Sequence, residues 1–442
     1  MEYNLNWKES LERDDSIKRL EYRDYEPFTG TNLNKSTDIR ISIQNQDEFL
    51  LPSRSYIYIE GSLKKENEST FEKDQPGTGT GAGKELYINL INNGIMYLFS
   101  RVDYQLGNEN IEGYSNPGQT STMKGFLTYP INYSEGMNFM WAPDKCDKIC
   151  PKINNSGYME RHNYLFKNAS GNFSVAIPLN HIFGFCENYD KVIYGIKHQL
   201  TLRRKEHDND AILKSPDKDS EGIYKVPDGK IILSKIVWRI PHVTLTDKYM
   251  IKLSNDIQNK IVLNVNFLNR QCESVEVNQG QKQFDWRLNV TAGSEKPRFI
   301  ILAFQENKDD NQVMNPAIFD HCNLTNACVR LNSERYPEMD LQLDFNENHY
   351  TTAYKMLSDY FNHILYKEKN CSITLLEYRN LYPLLVFDVS KQSEKLKNSV
   401  TDIKITATFQ KNISKPTKAY ALVLSERILK LESDGNKMNI VY

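Results

Sequence analysis

The sequence lacks any uninterrupted apolar run of the roughly 20 residues that a membrane-spanning helix needs. Residues 1–9 also lack the apolar core of a secretory signal peptide. We therefore expect a soluble protein that is made in the cytosol and does not span a membrane.

Cysteine is scarce and the charges are balanced. Seven cysteines at irregular spacing in 442 residues are typical of reduced thiols rather than of a disulfide framework. The 55 basic and 57 acidic residues give a formal net charge of -2, which argues against binding nucleic acid through bulk positive charge.

Catalytic motifs are also missing. We find neither the Gly-x-Ser-x-Gly turn of hydrolases nor the His-Glu-x-x-His helix of metalloproteases. The stretch at 77–84 resembles a phosphate-binding loop, but Thr78 replaces a required glycine and Glu85 would repel phosphate. We interpret it as a flexible loop. Carboxylate pairs at 208/210 and 309/310 lie in polar loops, where solvated charge is the default interpretation.

Two cysteine-containing clusters are candidate sites. Cys146 and Cys150 could supply half of a zinc site, with His162 or Cys186 as distant partners, but a second pair at similar spacing is missing. We favour chance spacing and predict no metal ligands.

The second cluster is Asp320-His321-Cys322, with Cys328 close by. A nucleophile and its base at adjacent positions of a strand would point to opposite faces of the sheet, which prevents proton transfer between them. We predict instead a packed histidine whose ring hydrogen-bonds a carbonyl, beside a buried thiol. The sequence therefore predicts that the protein has no catalytic residue, binds no cofactor and is not an enzyme.

What the chain does contain is β-structure, rich in the 26 Tyr and 19 Phe that suit half-buried strands. In the first half, alternating patterns predict strands at 38–43, 55–61, 173–178 and 197–203. We expect the Pro-, Gly- and Asn-rich segment 108–172 to be a surface excursion rather than core. We read 205–229 as a hairpin loop that lets strand 231–238 pair back on 196–204.

In the second half, an apolar run next to a proline, a loop and an alternating run between 296 and 345 describe antiparallel sheet. Asp247 is predicted to cap a short helix over 248–253. Apolar spacing predicts a helix at 350–366. The predicted strands are 261–267, 274–277, 284–290, 299–304, 327–331, 341–345, 402–409 and 419–424.

Two similar-sized halves made of many strands indicate an all-β protein of two tandem jelly-roll β-sandwiches, a double jelly roll. The predicted divisions are an N-terminal arm at 1–37, a first jelly roll with long loop insertions at 38–245, and a second at 246–442 that carries the inserted helix at 350–366.

Several short motifs stand out in the second half of the chain. They are WRIPHV at 238–243, WRL at 286–288, EKPRF at 295–299, FQ at 304–305, FDHC at 319–322, LNS at 331–333, YP at 336–337, LYPL at 381–384 and FDVSKQ at 387–392. These motifs resemble those of the double jelly-roll major capsid proteins of Polinton/Maverick elements and adintovirus-like relatives. One departure is Ala303, where we would expect Gly in relatives.

The resemblance implies a structural function. Three copies would form a pseudo-hexameric capsomer, and capsomers would tile an icosahedral shell around double-stranded DNA, which they enclose without sequence-specific binding. A single jelly-roll penton protein would occupy the vertices. Assembly would place the protein in the virion capsid after synthesis in the host cytosol, with assembly in the cytosol or the nucleus. Segments 108–172 and 307–315 would make trimer contacts or the outward tower, and the arm would order under a neighbouring subunit.

Two alternatives remain at this stage. One is a host-retained copy of such a capsid protein that forms particles for another role. The other is a β-sandwich ligand-binding module or enzyme, which would need a concave site lined by aromatic or carboxylate side chains.

Overall fold

The computed structural model describes residues 16–28, 32–44, 48–71, 88–131, 133–147, 155–167, 170–214, 226–260, 262–289, 295–364, 371–392, 402–433 and 438–441. Within these residues the chain folds into two antiparallel β-sandwiches that follow each other in sequence. We call them the first sandwich, which contains strands β1 to β12, and the second sandwich, which contains β13 to β21.

The first sandwich packs one sheet in the order β8-β4-β12-β3-β9, with β1 also paired to β12, against a sheet in the order β2-β10-β6-β7. A small β5-β11 pair lies beside them. The strands are β1 Ile17–Tyr25, β2 Asp38–Ile43, β3 Phe49–Leu50, β4 Tyr56–Lys65, β5 Ile88–Leu90, β6 Phe99–Leu106, β7 Glu109–Ser115, β8 Asn172–Pro178, β9 Ile193–Tyr194, β10 His198–Arg204, β11 Ile212–Lys214 and β12 Gly229–Leu245.

The second sandwich has one sheet in the order β13-β20-β15-β18, with β21 also paired to β20, and a facing sheet in the order β14-β19-β16-β17. The strands are β13 Leu263–Val277, β14 Gln283–Arg287, β15 Lys296–Glu306, β16 Leu324–Leu331, β17 Glu334–Tyr336, β18 Leu385–Asp388, β19 Ile403–Phe409, β20 Thr417–Ser433 and β21 Met438–Val441.

Helices sit in the connections between strands. They are α1 Pro117–Phe126, α2 Ser156–Phe166, α3 Leu179–Ile182, α4 Gly184–Asn188, α5 Asp247–Gln258, α6 Thr351–Ile364 and α7 Leu375–Asn380. The α6 helix matches the helix predicted at 350–366. For α5, the residue that precedes the helix is Thr246 and Asp247 is already its first residue, so the predicted cap was wrong.

One strand pairing was predicted wrongly. β12 pairs with β1, β3 and β4, whereas β10 pairs with β2 and β6, so the two do not form a hairpin. In a sandwich, strands that are close in sequence can lie in different sheets, and here β10 and β12 do so. The alternation of apolar and polar residues indicates a strand, but it does not show which sheet the strand joins.

The segment 108–172 was also misjudged, because much of it is core. Every residue of α1 is buried, and so are Trp141 and Tyr158. Glycines make this packing possible: a Cβ added at Gly118 would lie 2.5 Å from the Tyr97 ring, and one at Gly125 would lie 2.3 Å from the Trp141 ring. These glycines permit close approach of a helix to aromatic rings, rather than a loop.

Three further differences concern the arm and the second half. Residues 17–25 of the predicted arm form β1, which pairs along β12. The strands predicted at 261–267 and 274–277 are one continuous strand, β13. Residues 341–345 have the predicted alternating burial but form no strand. One backbone hydrogen bond, from the Leu343 N–H to the Thr325 carbonyl, joins them to the neighbouring sheet.

Candidate functional site

A densely hydrogen-bonded polar region lies where the two sandwiches meet, at the outer edge of β13. β13 pairs with β20 on one side only. On the other side, the Leu268 N–H donates to Asn188 Oδ1 at 2.9 Å and the Arg270 N–H donates to Glu112 Oε1 at 3.1 Å. An open strand edge has unpaired N–H groups that need acceptors. Side chains of the first sandwich supply those acceptors in place of another strand.

Glu112, on β7, is the central acceptor of this contact and is 1% exposed. Its two carboxylate oxygens also accept hydrogen bonds from the N–H groups of Gly184 and Phe185, both at 2.9 Å. Burial raises the pKa of Glu112 to about 7, although the Arg270 guanidinium and the three amide donors favour the charged form. One carboxylate therefore joins β7, α4 and β13.

Arg270 supplies the positive charge of the same cluster. Its guanidinium, 1% exposed, donates to the carbonyl oxygens of Asn180, His181 and Ile182 at 2.6–2.9 Å, and to Glu187 at 2.8 Å. Burial alone would lower the pKa of Arg270, but the charges of Glu187, Tyr114 and Glu112 raise it above its ordinary value. A side chain of the second sandwich thus holds the α3–α4 turn of the first.

Glu187 completes the cluster by pairing with Lys124 at 2.7 Å as well as with Arg270. Burial alone would raise the pKa of Glu187, but Lys124 and Arg270 lower it to about 2. His181 beside them is neutral. Burial and the nearby positive charges lower its pKa to about 3. Its ring nitrogens lie 2.9 Å from the Tyr129 hydroxyl and 3.1 Å from Asn93 Oδ1.

The backbones of the two sandwiches also come very close at this point. A Cβ added at Gly184 would lie 1.8 Å from the Leu268 carbonyl oxygen, a distance that real Cβ atoms do not show. Glycine is therefore required where α4 meets β13.

A second contact between the sandwiches involves the segment between β15 and β16. The Gln312 side chain donates to the Gly229 carbonyl at 2.8 Å and accepts from the Gly229 N–H at 2.9 Å. Asn315 donates to Asp144 at 3.0 Å, and the Tyr97 hydroxyl donates to the Pro316 carbonyl at 2.9 Å. Gln312 and Asn315 are buried against the first sandwich, whereas loop 307–315 was predicted to make trimer contacts or an outward tower.

Of the carboxylates predicted to be solvated, Asp309 and Asp310 are exposed, whereas Asp208 and Asp210 are partly buried in the loop before β11, where Asp210 takes part in this contact. Asp208 pairs with the buried Arg204 and accepts from the Ile231 N–H at 2.8 Å. Asp210 pairs with Lys205 at 2.7 Å and accepts from the Asp310 N–H of the second sandwich at 2.8 Å. The prediction was wrong for Asp208 and Asp210, because tertiary packing covers the loop that carries them.

The candidate zinc residues are not brought together. Cys150 and the stretch 77–84 lie outside the described residues. Cys186 is buried near Glu112, where burial raises the pKa of its thiol, and His162 lies against Tyr158 and Phe166 with ring centroids 5.9 and 5.1 Å away. Across the described ranges, no group of three His, Cys, Asp or Glu side chains is arranged to hold a metal ion.

Asp320-His321-Cys322 forms a turn rather than a strand, with Cys322 at φ +48°. The His321 ring stacks on Phe345 at 4.5 Å, and its Nδ1 accepts the Asn323 N–H at 3.0 Å, so the predicted bond to a carbonyl was wrong. Burial, with the nearby Glu306 and Asp320 charges, raises the pKa of the Cys322 thiol well above its ordinary value. A thiol held in its protonated form is a poor nucleophile.

Sequence reasoning missed Glu112, Glu187 and Arg270. Arg270 occupies a position of β13 that alternation assigns to the solvent face, where a charged residue is ordinary. It is buried only because the first sandwich covers that face. No signal in the sequence marks these three residues, since their partners lie between 63 and 158 residues away.

Among the described helices, none has the length and apolar character needed to cross a bilayer. In the cluster between the sandwiches, Glu112 and Arg270 are buried, and Glu112, Glu187 and Arg270 bind partners from both sandwiches. Its chemistry is that of a structural joint, which holds two β-sandwiches in one orientation.

Comparisons with known proteins agree with this architecture. A family model described as a double jelly roll-like domain matches residues 88–429. A chain of the 3.5 Å cryo-EM structure of the Sputnik virophage superposes with a TM-score of 0.63 at 8% identity, covering 99% of this chain and 91% of that chain. The mavirus major capsid protein gives 0.54 at 10% identity, covering 99% and 94%. A chain of the PBCV-1 virus capsid gives 0.56 at 9% identity, covering 98% and 99%.

A search of curated proteins found no sequence match. At identities of 8–10% the structural likenesses establish the fold alone. Together with the family match they confirm the predicted double jelly roll, mostly β with several antiparallel sheets and some helices.

Proposed function

This chain belongs to the double jelly roll-like domain family, and from that premise we propose that it is a major capsid protein of a double-stranded DNA virus or of a virus-like mobile element. The motifs that resemble Polinton/Maverick and adintovirus-like capsid proteins favour that lineage. In this proposal three copies form a pseudo-hexameric capsomer, and capsomers tile an icosahedral shell with a single jelly-roll protein at its vertices.

The observation that carries the proposal is the pairing of two β-sandwiches through a buried joint, in a fold shared over nearly its whole length with a major capsid protein, that of mavirus. Each copy would contribute two adjacent wall elements, so that three copies present six. A capsid subunit must keep its two sandwiches in a fixed relative orientation when neighbouring subunits contact it. Buried charge pairs and a backbone contact that tolerates only glycine at 184 resist rotation of one sandwich against the other.

The chemistry of the described residues fits a structural function better than a catalytic one. Cys322 is held as a thiol, His181 is held neutral, and Glu112 is saturated by backbone donors, so each lacks the freedom that proton transfer or nucleophilic attack requires. We propose that the protein is not an enzyme, that it resides in the virion capsid, and that its main partner is its own copy.

The proposal is tested by the mass and shape of the purified recombinant protein, using light scattering on a sizing column with negative-stain images. Three times the chain mass of 51.4 kDa with a six-sided outline, or closed particles, is the expected result. A monomer at every concentration and salt condition would overturn it. Arg270→Ala provides a matched comparison, because loosening the joint should reduce trimer yield more than Arg330→Ala at an exposed strand position does.

A further inference from the structure

The surface around α5, the helix that links the two sandwiches, carries several exposed apolar side chains close together in sequence. Within α5 no residue is buried. Ile251 is 62% exposed, Met250 41% and Tyr249 36%. Next to the helix, Val262 and Leu263 are also exposed, at 39% and 37%. Clustered exposed apolar side chains mark a surface that is covered by something.

An apolar crevice lies under the same helix, between the two sandwiches. Leu253 and Ile257 form its helix side. The opposite walls come from Val192 and Tyr194 of the first sandwich and from Leu263 and Leu431 of the second. The crevice and the exposed apolar residues Tyr249, Met250 and Ile251 lie on the same helix, and we call them together the α5 surface.

The path of the chain brings one particular segment to this surface. The Thr246 N–H, at the start of α5, donates to the Ser16 carbonyl at 3.0 Å. Ser16, to which the first 15 residues are joined, therefore lies beside the start of α5. Fully extended, 15 residues reach about 50 Å, whereas a 12-residue helix such as α5 is about 18 Å long. The segment can cover the α5 surface without any rearrangement of the fold.

The composition of the segment also fits. Residues 1–15 contain Tyr3, Leu5, Trp7 and Leu11, with five acidic residues against two basic ones. The exposed lysines on and beside the helix are Lys248, Lys252 and Lys260, against Asp247 and Asp256. Residues 1–15 therefore combine apolar side chains suited to the apolar crevice with a net charge of -3 that attracts the exposed lysines.

We propose that residues 1–15 dock on the α5 surface of their own chain, with Trp7 among the side chains that cover it. A tethered segment has a high effective concentration at a nearby site, which favours the same chain over a second copy. The proposal concerns the single chain, so it does not depend on capsid assembly.

The test uses the fluorescence of Trp7 in the full-length protein. Trp7 is one of four tryptophans, and the other three, Trp141, Trp238 and Trp286, are at most 8% exposed. The difference between the wild type and Trp7→Phe isolates its signal. We expect a blue-shifted emission and protection from acrylamide. Met250→Asp with Ile251→Asp should cause a red shift and loss of that protection, whereas Met339→Asp, at a residue 80% exposed in the second sandwich, should not.

Three results would overturn the proposal. Trp7 could be as accessible as in the urea-unfolded chain, or its protection could survive the α5 substitutions. The third result would be exposure of Trp7 when wild-type chains are mixed, in oligomers, with an excess of chains that carry Trp7→Phe, Met250→Asp and Ile251→Asp. If residues 1–15 dock on their own chain, Trp7 of the wild-type chain stays protected in this mixture. If they dock on a second copy, the neighbouring copies lack the α5 surface and Trp7 becomes exposed. Because the substituted α5 residues are exposed, folding should persist, and circular dichroism on the same samples verifies this.

Discussion

The carboxylate of Glu112 in the first sandwich accepts the backbone N–H of Arg270 in the second at 3.1 Å, while Arg270's guanidinium holds the carbonyls of the α3–α4 turn. The carboxylate of Glu112 thus supplies an acceptor to the open edge of β13, and the guanidinium of Arg270 supplies donors to the carbonyls of the α3–α4 turn. Each satisfies buried backbone groups that would otherwise be costly to leave unpaired.

Arg270→Ala should strongly destabilise the protein. It leaves Glu187 with one cationic partner instead of two and leaves three carbonyls, those of His181 and Ile182 being buried, without their donor. Removing one partner of a buried ion pair typically costs about 3–5 kcal/mol. Denaturant unfolding followed by circular dichroism measures the free energy of unfolding. The control Arg330→Ala, at an exposed position of β16, should change it by no more than about 0.5 kcal/mol. Equal effects of the two substitutions would contradict the structural importance of the joint.

Glu187 should make stability depend on pH. Its folded pKa of about 2 lies below its ordinary value of 4.5, so its contribution is present above about pH 4.5 and is lost as the pH falls towards 2. His181, with a folded pKa of about 3, acts in the same direction between its ordinary 6.5 and 3. Glu112 acts in the opposite direction, because its raised pKa of about 7 favours the folded state as the pH falls from 7 to 4.5.

The Glu187 contribution is isolated by comparing the wild type with Glu187→Gln at each pH. The difference in unfolding free energy should shrink by about 2 kcal/mol between about pH 5 and pH 3. Glu276→Gln, at an exposed position of β13, serves as the control for the substitution itself. A flat difference for Glu187→Gln would show that this carboxylate is not held charged by Lys124 and Arg270.

Gly184→Ala should destabilise the contact between α4 and β13 by about 1–3 kcal/mol, since the new methyl group would overlap the Leu268 carbonyl and force the sandwiches apart. Thermal unfolding measures the effect. Gly280→Asn serves as the control, because this position has open space and a φ of +80°, which asparagine tolerates. The close contact would be disproved if Gly184→Ala melted at the wild-type temperature.

Cys322 should react slowly with iodoacetamide at about pH 8, because its thiol is 8% exposed and its pKa is raised. Cys146, which is partly exposed, should be modified first. Mass spectrometry of timed digests gives the order, and both should react alike in urea. Rapid modification of Cys322 in the folded protein would revive the nucleophile hypothesis.

Local patterns predicted much of the fold. Alternation located β2, β4, β8, β10 and most strands of the second sandwich, because a strand with one buried face shows its period in the sequence alone. The spacing of apolar residues likewise located α6. Composition misled at 108–172, because Gly118 and Gly125 serve tight packing in a helix and their residue type is also common in loops.

The sequence by itself determined the fold class: two sandwiches, a helix in the second, and no recognisable catalytic motif. The spacing of apolar residues, the composition and the short motifs are local properties, so they can be read without knowing which residues are in contact. Tertiary structure alone decided which strands pair, which loops are buried, and that Glu112, Glu187 and Arg270 form the joint between the sandwiches. The contacts of that joint link residues up to 158 positions apart, and charged residues of these types are equally common on exposed surfaces.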